Sequence, residues 1–428
     1  MKRTIPRKVR PSLWLLFSIL SAVGMSYYVF GIWSTKELSS FSDLYAQWWA
    51  AHELFLHGRN PYTPEIAHQI QTAIYGAPLT SNCDDPGGIA GGFAYPLHVL
   101  FLMWPTIKLS FPILQKVFCV TSLGLTFASI LLWISALKWK LPLLSRVAIC
   151  LFAISSFPSL QAAKLQNLSS LVAFLISGTL ILLMMDRLIL AGMMLAVATI
   201  KPQFLILLIP WLAIWTIGNW RERQRLFWSF SATMAAMLVA TELVIPGWMI
   251  NFVQVVRAYR KYTYGHSLLE VWFERKLGMF AGVLLVLLVL QRFWEGRSCN
   301  ARSPRFVLTS NVALAATLVV IPTLEPHAQL LLVPAFLWIL RCSGFIWALN
   351  KRGRLLLVAT WSLLGWEWLA GIGMIFSRFW VHREVLLRFW LLPLYPSPLI
   401  PFGVLAVCSF LLLRKSRMLS LAAAFPTY

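Results

Sequence analysis

The sequence predicts an all-α fold, a polytopic bundle of about twelve transmembrane helices with interfacial helices in its first outer loop. Hydrophobic residues make up 59% of the 428 residues and charged residues only 12%, which is too apolar for an ordinary soluble domain. Many of the apolar runs approach the roughly 20 residues that a helix needs to cross a bilayer. We therefore expect one transmembrane domain over residues 1–428.

Apolar runs separated by short polar segments are the candidate spans. They are Leu13–Trp33, Phe93–Leu109, Pro112–Leu137, Leu141–Phe157, Leu168–Met185, Leu188–Ile200, Phe204–Ile217, Leu226–Ile245, Leu277–Leu290, Phe306–Pro322, Ala328–Leu349, Leu355–Phe376 and Leu399–Leu413. The second and third runs are joined through a proline-interrupted stretch, YPLHVLFLMWP, at residues 95–105.

The positions of Lys and Arg predict the orientation, because basic residues concentrate in short cytoplasmic segments. The basic segments at 2–10, 221–225, 292–305, 350–354 and 414–417 are predicted to lie inside. They alternate consistently only if residues 93–137 cross once, with the proline-interrupted part forming a short or re-entrant segment. Both termini then lie inside. The outer side receives the loops 34–92 and 246–276, Asp43, the 164–167 segment, Lys201 and His327.

The net charge of +22 does not indicate nucleic acid as a partner. The Lys and Arg residues lie between apolar runs, where topology and anionic membrane lipids account for them. The six cysteines are scattered and have no CxxC spacing, so no disulfide framework or metal cluster is expected. The sequence contains no phosphate-binding loop and no zinc-protease or hydrolase motif, so an NTP-driven pump or a cofactor enzyme is disfavoured.

The stretch FSDLYAQWWAAHELFLHGRNPY, residues 41–62, follows the first span and carries Asp43. Its Trp-rich helical pattern ends at Gly58 and a Pro61–Tyr62 turn. Asp43 either caps a surface helix or serves as the acid of an active site at the membrane surface. Two apolar stripes in this loop are typical of interfacial helices. They consist of Leu44, Trp48, Ala51 and Phe55, and of Ile66, Ile70, Ala73 and Ile74.

Polar residues later in the chain are predicted to reach the same side. Lys201 precedes the helix-breaking Pro202 and is either a partner for a lipid phosphate or a snorkelling lysine. Lys164, Gln166 and Asn167 either donate to phosphate and sugar oxygens or form a polar interhelical loop. His327, near Glu325, either binds a sugar hydroxyl or caps a helix. The second outer loop adds a basic and aromatic group suited to carbohydrate and anionic lipid: Arg257, Tyr259, Arg260, Lys261, Tyr262, Tyr264 and His266.

Several short motifs occur in the order and spacing of a known family. They are Asp43, Gly58-Arg59-Asn60-Pro61-Tyr62, Tyr95-Pro96-Leu97, Leu165-Gln166-Asn167 and Lys201-Pro202-Gln203. In these motifs the chain resembles the polytopic glycosyltransferases of family 87, which have the GT-C fold. The likeness covers roughly residues 41–210 by motif and the remainder by hydropathy, with Pro326-His327 as a looser match. Leu97 and Leu165 depart from the proline and glycine that the family usually has, and Tyr45 follows Asp43 more closely than usual.

The resemblance implies an inverting enzyme of the cell membrane that transfers a hexose, typically mannose, at the outer face. The donor would be a polyprenyl-phosphate sugar and the acceptor a lipid-linked sugar or a glycan. Asp43 would be the general base, and Lys201 and Lys164 would bind the donor phosphate. The expected substrate contacts are His327, Gln166, Asn167, Tyr62, Tyr95 and Arg260. No metal and no cofactor is expected, because fixed cations can stabilise the departing phosphate.

Two other classes of protein remain alternatives. A secondary transporter is expected to carry ionisable groups near the bilayer midplane and to show internal repeats, and the sequence shows neither. If the chain is a non-catalytic protein of envelope polysaccharide assembly, Asp43 is expected to be dispensable. The enzyme hypothesis instead requires Asp43 to lie within about 10 Å of Lys201 and His327, because reacting groups must meet one substrate.

Overall fold

The computed structural model describes residues 11–32, 42–79, 85, 88–263, 265–322, 325–389 and 391–414. Within these residues the fold consists of helices and contains no β-strand. The basic residues 1–10, which support the predicted orientation, lie outside the described residues, as do 415–417 and Tyr264.

The helices are numbered here along the chain. They are α1 (Pro11–Tyr27), α2 (Tyr45–His57), α3 (Pro64–Tyr75), α4 (Val99–Met103), α5 (Phe111–Ala136), α6 (Leu143–Ile154), α7 (Phe157–Lys164), α8 (Ser169–Met184), α9 (Leu188–Ala198), α10 (Leu208–Ile217), α11 (Trp220–Val244), α12 (Trp248–Tyr262), α13 (Leu268–Phe273), α14 (Arg275–Gly296), α15 (Pro304–Val320), α16 (Val333–Leu349), α17 (Lys351–Ser377), α18 (Arg383–Arg388) and α19 (Ile400–Leu412). Shorter helical turns lie at Tyr28–Ile32, Trp104–Thr106, Pro202–Leu205, Pro326–Leu332, Leu392–Leu394 and Ser397–Leu399.

Seven of the described helices are long and apolar enough to cross a membrane. The helices α6 and α7 together pass the same test but are bent by 58° at the break between them. The helices α8, α9, α10 and α15 are apolar but shorter. This confirms the predicted fold class, an all-α polytopic bundle. The total of about twelve crossings stays a prediction.

Residues 93–137 contain one helix of span length, as predicted. That helix is α5, whereas the proline-interrupted stretch before it forms only α4 and the turn Trp104–Thr106. Val99 and Leu100 of α4 are fully buried against protein. Irregular backbone at membrane depth is tolerated where it is buried in protein, so this stretch fits a re-entrant segment, and the single crossing stays a prediction.

Prolines end two helices and thereby create the polar segments of interest. The ring of a proline clashes with the carbonyl four residues earlier and lacks an N–H to continue the helix. Helix α6 ends at Ile154, four residues before Pro158, and α9 ends at Ala198, four residues before Pro202. The half-helix α7 then packs against the turn Pro326–Leu332, which also contacts α8. Residues 164–169, 199–203 and 325–327 are therefore brought to one end of the bundle.

Helices α9 and α11 pack along each other, and glycine allows their close approach. A β-carbon at Gly192 of α9 would collide with Ser229 of α11. This pairing gives α9 a fixed direction in the bundle. Its first residue, Leu188, lines a cavity with Arg223 at the start of α11, and Lys201 follows its other end.

The first outer loop contains the two predicted helices, α2 and α3. The first half of the α3 stripe faces the protein, because Ile66 and Ile70 are fully buried in the core, whereas Ala73 is exposed and Ile74 is half-buried. Gln71 is also buried and donates to the Gly88 and Ala90 carbonyl oxygens at 2.6 and 2.5 Å. A sequence pattern does not distinguish a lipid neighbour from a protein neighbour, and contact of the remaining half of the stripe with the membrane surface stays a prediction.

Candidate functional site

The segment after α7 ends the helix in an uncommon way. Gln166 has φ +50°, in the left-handed region, and the Asn167 N–H donates to the Ala162 carbonyl at 2.9 Å. This is a Schellman ending, in which glycine usually occupies the left-handed position. The Gln166 side chain donates to the carbonyl oxygens of Ala163, at 3.2 Å, and Lys164. These bonds satisfy carbonyl groups at the helix end and turn the chain towards a polar cluster. The cluster consists of Asp43, Asn167, Ser169, Lys201, Glu325 and His327.

Asn167 is the centre of this cluster. Its Nδ2 donates to Asp43 Oδ2 at 2.5 Å. Its Oδ1 accepts from Lys201 Nζ at 2.7 Å and from the backbone N–H and hydroxyl of Ser169 at 2.9 and 2.7 Å. One amide therefore connects Asp43 to Lys201, as the predicted convergence requires, although the two residues lie far apart in the chain.

Asp43 is fixed to this segment through its backbone as well. Its N–H donates to the Leu165 carbonyl at 2.9 Å. Helix α2 begins at Tyr45, and its N-cap position is Leu44, which makes no side-chain capping bond. Asp43 therefore does not cap α2. Its half-buried carboxylate faces Asn167 instead.

Lys201 does not snorkel, because its side chain is only 2% exposed. Its ammonium donates to Ser169 Oγ at 3.1 Å in addition to Asn167, and lies 3.7 Å from Glu325 Oε2. Burying an ammonium is unfavourable unless hydrogen bonds and a counter-charge surround it. Here two hydrogen bonds and the Glu325 carboxylate supply these partners, so the burial of Lys201 in the cluster is stabilised.

Glu325 joins Lys201 to His327. Its Oε2 lies 2.8 Å from His327 Nε2. Burial acts to raise the pKa of Glu325, but the charges of Lys201 and His327 and their hydrogen bonds outweigh burial and lower it below its usual value. His327 is buried, and its Nδ1 has no hydrogen-bond partner among the described residues. A buried ring nitrogen without a partner is suited to a polar atom of a ligand.

Three tyrosines, Tyr62, Tyr95 and Tyr259, belong to the surroundings of Asp43 and Glu325. The Tyr62 hydroxyl donates to the Tyr95 carbonyl at 2.7 Å. Burial raises the pKa of Tyr95 well above its usual value, and the charges of Asp43 and Glu325 raise it further. Burial and the same two carboxylates also raise the pKa of Tyr259 on α12. Asp43 and Glu325 therefore act on one aromatic region.

Two predicted ligands of the substrate have other contacts. Lys164 Nζ donates to the Val29 carbonyl at 2.8 Å, in the turn that continues α1. Arg260 is exposed on α12. Burial acts to raise the pKa of Glu270, but hydrogen bonds to Ser267 and the charges of His266 and Arg260 lower it. The structure thus brings Asp43, Asn167, Lys201 and His327 into one network, while Lys164 binds the first span and Arg260 acts near Glu270.

Sequence reasoning did not select three residues of the cluster. They are Ser169, Glu325 and Gln47, a buried glutamine near Tyr95 whose side-chain amide has no hydrogen-bond partner in the described structure. Glu325 carried a usable signal, because the chain has only 15 acidic residues and this one directly precedes Pro326-His327. Ser169 and Gln47 carried none, since neutral polar residues are common at helix starts and on helix faces.

One group of metal-ligand side chains occurs in the described part of the chain, in α2. The ligand atoms of His52, Glu53 and His57 lie within 4.8 Å of one another. However, Arg59 Nη1 lies 3.3 Å from Glu53 Oε2. The carboxylate that would attract a cation is therefore already paired with a guanidinium, and we assign no metal to this group.

The chemical capacity of the cluster follows from its members. A carboxylate of this kind can accept a proton from a substrate hydroxyl. A buried ammonium and an imidazole can stabilise negative charge that develops nearby, because the surrounding dielectric is low. The combination suits a reaction that deprotonates a nucleophile and releases an anion.

The sequence model of glycosyltransferase family 87 matches residues 93–364, more than half of the chain. The matched region contains Asn167, Lys201, Glu325 and His327 and begins after Asp43. No curated protein and no solved structure matched the chain.

Proposed function

Because the chain belongs to glycosyltransferase family 87, it is a membrane glycosyltransferase, and we propose that it transfers a hexose from a polyprenyl-phosphate donor to a lipid-linked or glycan acceptor. Mannose is the first sugar to test. The observation that carries the proposal is the hydrogen-bonded connection from Asp43 through Asn167 to Lys201. It joins a proton acceptor and a cation, the two groups that this reaction needs.

In the proposed reaction the acceptor hydroxyl oxygen attacks the anomeric carbon of the donor. Asp43 takes the hydroxyl proton as the new C–O bond forms. The bond between the anomeric carbon and the phosphate oxygen breaks, and polyprenyl phosphate leaves with the electron pair. Attack from the face opposite the phosphate inverts the anomeric configuration.

The departing phosphate gains negative charge, and the cluster offers cationic and donor groups for it. Lys201 holds a positive charge in a buried position, where its field is little screened. The Nδ1 of His327 is available to the phosphate or to a sugar hydroxyl. Lys164 ends α7, three residues before Asn167, and adds positive charge while its Nζ donates to the Val29 carbonyl of the first span. These groups fit the proposal that fixed cations stabilise the leaving group.

The sugar and the lipid would be bound by the aromatic and basic surroundings. Tyr95, supported by Tyr62, lies within the field of both carboxylates, and Gln166 has a buried Oε1 without a partner in the described structure. Helix α12 carries Arg260 among exposed apolar side chains such as Ile250, at 66%. Such a helix suits contact with anionic lipid or with the donor's phosphate.

We assign the site to the extracytoplasmic side of the cell membrane. The supporting argument is the distribution of basic residues. The basic segments 221–225 and 292–305 border the cavity at the start of α9, whereas the cluster lies at the other end of that helix. Basic segments mark the cytoplasmic side, so the cluster belongs to the opposite one.

The experiment uses the purified full chain in lipid nanodiscs with octyl α-mannoside as acceptor. The donors are polyprenyl-phosphate mannose, polyprenyl-phosphate glucose and GDP-mannose. We expect transfer from a polyprenyl-phosphate sugar and none from GDP-mannose, with inverted anomeric configuration in the product by NMR. Transfer from GDP-mannose alone, or retention of configuration, would overturn the proposal.

A further inference from the structure

The two ends of the Asn167 amide cannot exchange places. An ammonium has three donor protons and no acceptor, so Lys201 must face the oxygen of the amide. The Ser169 N–H also donates, and it contacts the same atom. Because these donors hold Oδ1, the Nδ2 group has to face Asp43, where the carboxylate accepts its hydrogen bond. The chemistry of the neighbours therefore fixes the direction of the amide.

We propose that Asn167 is a positioning residue for Asp43 and that Lys201 and Ser169 act on Asp43 through it. This inference rests on the proposed role of Asp43 as general base. The amide holds Oδ2 at 2.5 Å, and the backbone bond to Leu165 holds the same residue at its N–H. A carboxylate rotates freely between broad orientations when nothing holds it. Here one oxygen is fixed, and Oδ1 is the oxygen that receives the acceptor proton.

Lys201 is better suited to this role than to direct phosphate binding. Its ammonium donates to Asn167 Oδ1 and Ser169 Oγ, and its charge is paired with Glu325, whose Oε2 lies 3.7 Å away. A phosphate oxygen would have to displace one of these three neighbours. Glu325 forms the longest of the three contacts and is 30% exposed, and its carboxylate balances the buried ammonium. The Lys201 charge stays in the site, while its hydrogen bonds hold Asn167.

The hydrogen bond by which the Asn167 amide holds the Asp43 carboxylate is called here the amide clamp. A cycle of substitutions at positions 43 and 167 tests this clamp without substrate. Asn167→Asp keeps the oxygen that Lys201 and Ser169 bind, but it places a second carboxylate 2.5 Å from Asp43. We expect this variant to unfold at a lower temperature. In Asp43→Asn/Asn167→Asp the amide and the carboxylate have exchanged places, so we expect most of the lost unfolding temperature to return. Additive effects of the two substitutions would overturn the proposal.

Asn311 provides a matched control for this cycle. It is a fully buried asparagine of α15 whose amide atoms have no hydrogen-bond partner in the described structure. Asn311→Asp also buries a new carboxyl group and is expected to lower the unfolding temperature. Adding Asp43→Asn should restore nothing in this background. Recovery here equal to that at position 167 would mean that Asp43→Asn stabilises the protein in general, which would overturn the clamp.

A second cycle separates positioning from phosphate binding. Asn167→Ala is expected to lower kcat on the order of 100-fold, with little change in KM for the polyprenyl-phosphate donor, because it misplaces the base. Lys201→Arg keeps the positive charge near the phosphate but disturbs the contact with Asn167, so it should add little to the loss of kcat in the Asn167→Ala background. If the two losses multiply, or if Lys201→Arg acts mainly on KM for the donor, Lys201 binds phosphate directly and the proposal fails.

The two cycles also distinguish this inference from the proposed function. Restored unfolding temperature together with full activity of Asp43→Asn would refute Asp43 as the base and leave the amide clamp established. Additive unfolding temperatures together with an inactive Asp43→Asn would refute the clamp and leave the base.

Discussion

Two buried cations lie at opposite ends of α9, and their surroundings differ. Arg223 is 6% exposed and donates to the carbonyl oxygens of Trp215, Arg297 and Cys299 at 2.6, 2.7 and 2.8 Å. Its guanidinium also lies 3.9 Å from the centre of the Trp215 ring. Lys201 is bound instead by side chains, which continue to Asp43 and to His327.

The difference fits a structural role for Arg223 and the proposed functional role for Lys201. The partners of Arg223 are main-chain carbonyls near the ends of α10 and α14, where a cation satisfies acceptors that the helices leave open. The partners of Lys201 are an amide, a hydroxyl and a carboxylate, and nearby polar atoms of His327 and Gln166 have no partner in the described structure. Buried polar atoms without hydrogen-bond partners, next to a buried charge, are typical of a ligand-binding site.

Replacing Lys201 by arginine is the strongest test of this contrast. Lys201→Arg keeps the charge, but the larger planar guanidinium cannot fit three partners placed around a compact ammonium. We expect kcat to fall on the order of 100-fold, because Asn167 and Asp43 would shift. Initial rates with the polyprenyl-phosphate donor measure the loss. Full activity would show that only the charge at this position matters.

The reciprocal change at Arg223 is expected to affect stability and not activity. In Arg223→Lys a single ammonium replaces the fork that reaches three carbonyls, so at least one buried carbonyl loses its donor. The free energy of unfolding should fall by about 2 kcal/mol. Thermal unfolding of both proteins in the same detergent gives this value. A kcat reduced as much as in Lys201→Arg would abolish the distinction between the two cations.

The smallest expected effect concerns acid stability. Because the pKa of Glu325 is lowered in the folded protein, its carboxylate contributes stability above its ordinary pKa of 4.5, and this contribution is lost as the pH falls below that value. The unfolding temperature of the wild type should therefore drop between about pH 5 and pH 3 more than that of Glu325→Gln. Equal slopes would mean that the ion pair with Lys201 does not contribute.

The sequence was sufficient for the fold class and for the convergence of the site. Hydropathy and basic segments predict a helical membrane bundle, and the single span-length helix within 93–137 follows from the alternation of charges. The convergence of Asp43, Asn167, Lys201 and His327 was predicted from topology and motif, and the structure brings these residues together. That Asp43 acts as the base stays a prediction.

The surroundings of α3, the burial of Lys201 and the partner of Lys164 could not be predicted from the sequence, for physical reasons. The hydrophobic pattern of α3 is the same whether Ile66 faces lipid or protein. A lysine before a proline can be exposed or buried, and only the packing of α8 and of the turn Pro326–Leu332 decides that Lys201 is buried. The partner of Lys164 is a carbonyl of the first span, and no sequence pattern identifies a main-chain acceptor 135 residues away.

The most direct test of the central claim compares the wild type with Asp43→Asn in the transfer of a hexose from its polyprenyl-phosphate carrier. The substitution keeps the size of the side chain and an oxygen for Asn167, so the variant should fold and bind the donor as before. We predict a loss of kcat of about 10²- to 10⁴-fold, the usual contribution of a general base. Equal rates of product formation by the two proteins would contradict the account.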